Sequence, residues 1–216
     1  MYLTGNLTED SQYIRDLEEA GTDALVLTID SVAGSTRHRA QRFGAGSANT
    51  EAVLLTWSYY DKLREVTDLP IAVKGVTSVE TAKKAAEHDV PAIVVSNHGG
   101  RNLDGSPSPL DILLEMNEDA PELFDKLEVW ADGGVRYGGD VIKLLALGAK
   151  AVGVGRPYMF ANAYGVKGVE KVTEILKKEV ITDGGNLGLE SFADVDKTYV
   201  SRSMSSLGNL MQGVGC

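Results

Sequence analysis

Ala92-Ile93-Val94-Val95-Ser96-Asn97-His98-Gly99-Gly100-Arg101-Asn102-Leu103-Asp104-Gly105-Ser106-Pro107-Ser108-Pro109 sets the architecture of this chain. The apolar run Ala92 to Val95 is short, continuous and β-branched, the pattern of a strand buried on both faces. It stops at Ser96 and passes into a polar loop carrying His98 and Arg101. Ser108, Pro109 and Asp111 then open a helix, with a capping hydroxyl, a proline in the first helical position and an early acid. Polar residues beyond the carboxyl end of a buried strand are where α/β enzymes keep their chemistry. A plain βα turn with a solvated His98 and Arg101 would use the same residues.

Outward from this stretch the same unit recurs. Strands are expected at Met1 to Thr4, Ala24 to Ile29, Pro70 to Val73, Glu128 to Ala131 and Ala151 to Val154. Helices are expected from Thr8, as cap, to Ala20; over Leu54 to Val66; from a Thr77/Glu80 capping box to about His88; and over Asp140 to Leu147, Val166 to Lys178 and Ser191 to Met204. Ser31 to Asn49 reads as a long loop, of the kind that serves as a lid or binding segment. About six βα units predict a parallel sheet. The polar residues gather at the carboxyl ends of the strands, as on the active face of a (β/α)8 TIM-type barrel. With about six units, the barrel is incomplete, its first two units missing. The absence of a linker makes residues 1–216 one domain, with 205–216 a frayed tail.

Composition narrows the function. The 216 residues carry 31 acidic and 21 basic side chains, a net charge of −10, which disfavours nucleic acid or an anionic membrane as partner. The lone cysteine, Cys216, allows no intrachain disulfide and no cysteine metal site. No run is long and apolar enough for a transmembrane segment, and no targeting signal is seen, which leaves a cytoplasmic protein as the default.

The last two strands both end in glycine and arginine: Asp132-Gly133-Gly134-Val135-Arg136 and Gly155-Arg156-Pro157. Glycines let backbone N–H groups approach an anion, and arginine offers a two-pronged fork. These are the usual phosphate loops of a barrel. They point to a phosphate-bearing ligand, although tight turns and arginine caps would use the same residues. An isomerase or aldolase using Lys74 as a Schiff-base nucleophile or His98 in proton transfer, or a non-catalytic phosphate-binding remnant, would use them equally.

The motifs Leu-Thr-Ile-Asp (27–30), Pro-Ile-Ala-Val-Lys-Gly (70–75), Val-Ser-Asn-His-Gly-Gly-Arg-Asn-Leu-Asp (95–104), Asp-Gly-Gly-Val-Arg (132–136) and Leu-Ala-Leu-Gly-Ala-Lys-Ala-Val-Gly-Val-Gly-Arg-Pro (145–157) cover nearly the whole chain. In that order they resemble the FMN-dependent 2-hydroxy acid dehydrogenase/oxidase family, which includes glycolate oxidase, lactate oxidase and flavocytochrome b2. The resemblance implies FMN as cofactor and oxidation of a small L-2-hydroxy acid to the 2-oxo acid. It implies His98 as the base, a role suited to an unperturbed pKa of about 6.5, and Asp30 as the carboxylate that supports it. Arg101 and Arg37 would clamp the substrate carboxylate, and Tyr2 falls at the family's catalytic, substrate-contacting tyrosine. Lys74 would face the flavin ring. Thr28 and Ser96 would bond the ring or ribityl chain, and Asp132, Gly133, Gly134, Arg136, Gly155 and Arg156 the ribityl and phosphate groups. Oxygen, a cytochrome or a quinone would take the electrons, and a homo-oligomer or a complementing fragment is a further expectation.

The chain departs from the family pattern in Ser31-Val32-Ala33-Gly34-Ser35-Thr36, at Asn102 in place of a usual glutamine, and at Tyr137 in place of a common arginine. With the barrel's opening missing, weakened FMN affinity and poor turnover are expected of this chain alone.

Overall fold

In the computed structural model, residues 1–32, 38–45 and 53–201 are described. Five strands form one parallel sheet: β1 (Leu25–Thr28), β2 (Ile71–Val76), β3 (Ala92–Val95), β4 (Glu128–Asp132) and β5 (Ala151–Gly153). Their spatial order is their order in sequence, β1-β2-β3-β4-β5. An order that never reverses, built from right-handed crossovers, puts every connecting helix on one face. That is barrel winding; a doubly wound sheet would reverse at a switch point. β3 lies at the centre, buried along its whole length, as its apolar run foretells.

The α-helices are α1 (Leu7–Glu19), α2 (His38–Arg42), α3 (Trp57–Arg64), α4 (Val79–Glu87), α5 (Pro109–Asp119), α6 (Leu123–Lys126), α7 (Gly138–Ala146), α8 (Arg156–Ala161) and α9 (Gly165–Asn186). The core lies between sheet and helices. Val73, Ile93 and Val95 meet Ile14 of α1, Leu63 of α3, and Ile112, Leu113 and Met116 of α5 there. The helix at the heart of the opening stretch forms as read: Ser108 Oγ accepts from Asp111 N, and the Asp111 carboxylate takes the Ser108 backbone N–H. No helix among the described residues is long and apolar enough to cross a membrane.

Several boundaries differ from expectation for local reasons. Met1 to Thr4 forms only edge bonds to β1, Thr28 N to Met1 O at 3.0 Å and Met1 N to Val26 O at 2.5 Å, before Gly5 turns the chain at φ +80°. Among the described residues there are five strands rather than six. Asn6, not Thr8, caps α1, and Ser78, not Thr77, caps α4. The expected 31–49 loop contains α2. α9 continues past Lys178 through two glycines because Gly184 packs on Phe192, where a Cβ would fall 2.7 Å from the ring. Ser191 and Asp196 turn their side chains onto nearby backbone N–H groups, so two 3-10 turns, Phe192–Asp194 and Lys197–Tyr199, stand in place of a helix. The short helices α6 and α8 were not foreseen. The expected tail 205–216 lies outside the described residues.

Tyr60 ties α3 to β2, its hydroxyl donating to Ile71 O at 2.8 Å. Burial pushes this phenol up to about 12, with Arg64 opposing and Asp61 and Asp89 adding to the rise. A folded pKa above the unfolded value near 10 means that the protonated phenol contributes stability below pH 10. That contribution is lost as pH rises through about 12. Denaturant midpoints should therefore fall across this window, and Tyr60→Phe should remove Tyr60's share. An equal fall in the variant would assign the effect elsewhere.

Candidate active site

The carboxyl ends of the strands bring most of the singled-out residues together. Asp30 follows β1, Lys74 lies near the end of β2, Ser96 and His98 follow β3, Asp132 ends β4, and Gly155 and Arg156 follow β5. A cavity of about 260 Å³ opens between them. Lys74, His98, Arg101, Gly133, Gly134, Arg136, Gly155 and Arg156 line it, with Asp132 the only acid among the described residues. Thr28 sits buried beside Lys74 in the strand register, outside that lining, and Ser96 is fully buried behind it. Arg37 lies outside the described residues.

His98 has the left-handed φ of +57°, followed by Gly99 and Gly100 at +65° and +69°. For a residue with a Cβ this conformation costs on the order of 1–2 kcal/mol. Three bonds hold it there. His98 N donates to Ser96 Oγ at 3.1 Å, Arg101 Nε donates to His98 O at 3.1 Å, and the ring Nδ1 meets Asp30 Oδ1 at 3.1 Å. Both side chains of the pair are about nine-tenths buried. A carboxylate only accepts, so Nδ1 carries a hydrogen; in the neutral ring Nε2 is then the nitrogen with the lone pair, and it faces the Tyr2 hydroxyl at 3.4 Å. Tyr2, Asp30 and His98 thus form a line with the imidazole at its centre.

Two residues set where Asp30 stands. Asn102 Nδ2 donates to Asp30 O at 2.9 Å. Gly75, at φ +103°, is skipped in the β2–β3 register, which runs Lys74 to Val94 and then Val76 to Val95. This bulge lets the backbone pass close beneath the acid: a Cβ on Gly75 would lie 2.6 Å from Asp30 Cβ and Cγ. Asp30 Oδ2 and Asn102 Oδ1 are buried acceptors without a hydrogen-bond partner among the described residues.

Ser96 joins the His98 loop to the cationic side. Its hydroxyl donates to Asp132 Oδ1 at 2.5 Å while accepting from Lys74 Nζ at 3.1 Å and from His98 N. Lys74 also pairs with Asp132 Oδ2 at 3.4 Å. Arg156 Nη2 reaches Gly99 O at 2.9 Å and so ties α8 to the same loop. Arg136 stays exposed at the cavity, its backbone N–H and that of Tyr137 held by Asp140. No Cβ contact closes off Gly134 or Gly155, which leaves their backbones open to a ligand.

The part played by Gly75 was open to sequence reasoning, because a glycine inside a β-branched run signals a bulge. So was α8, which has Pro157 in its first turn; Gly155-Arg156-Pro157 reads instead as the phosphate loop after the strand.

The FMN-dependent dehydrogenase family profile matches residues 41–202. L-lactate dehydrogenase (cytochrome) of Saccharomyces cerevisiae is 37% identical over 221 residues, covering 90% of this chain and 37% of that protein. Mouse 2-hydroxyacid oxidase 1 is 47% identical over 150 residues, covering 69% of this chain and 40% of that protein. A solved flavocytochrome b2 double mutant with pyruvate bound superposes with a TM-score of 0.86 at 37% identity, over 100% of this chain and 55% of that one. The chain therefore spans about two fifths of the length of these two curated relatives. Its sheet is the sequentially wound part of a (β/α)8 TIM-type barrel, and the site lies at the carboxyl ends of the strands as in that fold. The chain belongs to the FMN-dependent dehydrogenase family.

Proposed function

We propose that this chain carries the acid–base and phosphate-binding machinery for FMN-dependent oxidation of an L-2-hydroxy acid to the 2-oxo acid. The observation that carries this is the line Tyr2–His98–Asp30 beside Arg101, at the edge of a cavity lined by Lys74, Arg136 and Arg156. The residues fit FMN. Among the described residues the cavity's cations outnumber its acid, Asp132, and the open backbones of Gly134 and Gly155 leave room for a phosphate. Arg136, Arg156 and the glycines would hold the phosphate end, with Asp132 at the ribityl chain. Lys74 would stabilise negative charge on the ring, and Ser96 would hold Lys74 and Asp132 in place.

FMN, when bound, supplies the two-electron acceptor. The chain's own residues do the rest. Arg101 takes the substrate carboxylate in a charge-assisted fork. His98 Nε2 receives a proton from the substrate's hydroxyl or α-carbon. Asp30 holds the tautomer that leaves Nε2 free and stabilises the imidazolium that forms. Tyr2, facing Nε2, orients the hydroxyl. Such a base contributes roughly 10²–10⁴-fold to rate. The pyruvate in the similar flavocytochrome b2 structure is a 2-oxo acid, which supports the substrate class. An oxidase and a cytochrome-linked dehydrogenase both stand among the relatives, so oxygen and a cytochrome are the two acceptors to assay first.

Titrating the purified chain with FMN and recording the visible spectrum tests this reading. Binding should perturb the flavin bands, and Arg136→Ala should weaken it by about ten- to a hundredfold, the usual worth of a hydrogen bond to a charged group. An unperturbed spectrum, together with borohydride trapping of a carbonyl substrate on Lys74, would favour the flavin-free isomerase or aldolase instead.

A further inference from the structure

We infer that Asp10, a buried carboxylate in the first turn of α1, fixes Tyr2 against His98 and so is a positioning residue for the base. The inference rests on the proposed role of His98, but its contacts lie outside the cavity.

Tyr2 is 48% exposed, so side-chain packing does little to hold it. Its hydroxyl stands 3.4 Å from His98 Nε2, near the outer limit of a hydrogen bond, where a small backbone shift would break the contact. The backbone on either side of Tyr2 must therefore place it. On one side Met1 O accepts from Thr28 N of β1 at 3.0 Å. On the other stands Asp10. Its Oδ1 accepts from Thr4 N at 2.8 Å and Thr4 Oγ1 at 3.0 Å, and its Oδ2 accepts from Gly5 N at 3.0 Å and from the Tyr59 hydroxyl at 2.5 Å.

The chemistry of these bonds demands a carboxylate. Asp10 is 2% exposed and forms no ion pair among the described residues, so its charge is balanced by donors alone. All four partners donate, and asparagine would turn an NH2 toward some of them. Burial first, and then the bond to Asp10, holds the Tyr59 phenol well above its ordinary value, so Tyr59 stays a donor at all physiological pH. Tyr59 lies on α3, 49 residues away in sequence. Asp10 thus fastens the Tyr2 segment to α1 and α3, and Gly5 makes the required turn at φ +80°.

The test uses the full chain labelled with ¹³C and ¹⁵N histidine and follows the His98 ring Cε1–Hε1 cross-peak at fixed pH. The other two histidines, His38 and His88, give separate peaks. His88, stacked on Trp57 at 5.1 Å, reports whether the fold is intact. Tyr2→Phe should displace the His98 peak. Asp10→Asn should displace it in the same direction and by the same amount with the His88 peak unmoved, and combining the two changes should add nothing. A His98 peak that stays in place in folded Asp10→Asn, or shifts that add in the double variant, would overturn the inference. Should Asp10→Asn not fold, Thr4→Val, which removes one of the four donors, should move the peak part of the way; an unmoved peak there overturns it as well. The readout needs neither FMN nor turnover. A failure of the functional proposal shows separately, as absent flavin binding.

Discussion

His98→Asn should slow anaerobic reduction of bound FMN by an L-2-hydroxy acid by about 10²–10⁴-fold, the usual contribution of a positioned general base. Asparagine is the informative replacement because His98 sits at φ +57°, and asparagine tolerates the left-handed region better than other residues with a Cβ. The loop is then kept while the basic nitrogen is lost. FMN affinity should be unchanged, since the cations at the cavity remain. Stopped-flow absorbance separates the two quantities. A rate within about tenfold of the unmodified chain would move the base to another residue.

Gly75→Ala should be nearly as damaging, although Gly75 touches no ligand in the proposed scheme. The new methyl would meet Asp30 Cβ and Cγ at 2.6 Å, closer than real contacts allow, on a residue already at φ +103°. Either β2 moves or Asp30 swings aside, and the second breaks the 3.1 Å contact to His98. The strain and overpacking should lower stability by about 1–3 kcal/mol. Flavin reduction should fall to the level of Asp30→Asn. Gly21→Ala is the matched control: its φ is +84°, yet a Cβ there meets nothing within 4 Å. It should cost stability through the backbone alone and leave the reduction rate intact. Equal losses of rate in both alanine variants would mean that general destabilisation, not Asp30, explains the effect.

Much of this was legible because the signals are local. The β-branched run at Ala92 to Val95, the Ser108-Pro109-Asp111 helix start and the strand-end polar residues each follow from neighbours in sequence, and each stands where expected. What was not legible depends on side-chain contacts that apolar pattern and helix propensity do not encode. Whether Met1 to Thr4 becomes a strand is decided by Asp10 seizing Thr4 and Gly5, a contact that apolar pattern does not announce. α9 runs through Gly184 and Gly185 because Phe192 packs there, which helix propensity alone would oppose. In the site, Lys74, His98, Arg101, Arg136 and Arg156 all line one cavity at the carboxyl ends of the strands. The service of Ser96 to three partners at once is a tertiary fact. Nothing in the residue's own surroundings in sequence distinguishes it from a hydroxyl that contacts a ligand directly.

That hydroxyl has one hydrogen and can give it to one acceptor at a time. It now gives it to Asp132 and receives from Lys74 and from the His98 amide. A ligand that draws Asp132 away would free this hydrogen to turn elsewhere, on the same oxygen that receives the amide of the strained His98 backbone. Coupling between the two ends of the cavity would pass through this single rotor. Linkage makes such coupling reciprocal: a ligand at the lysine end changes affinity at the histidine end by the same factor as the reverse.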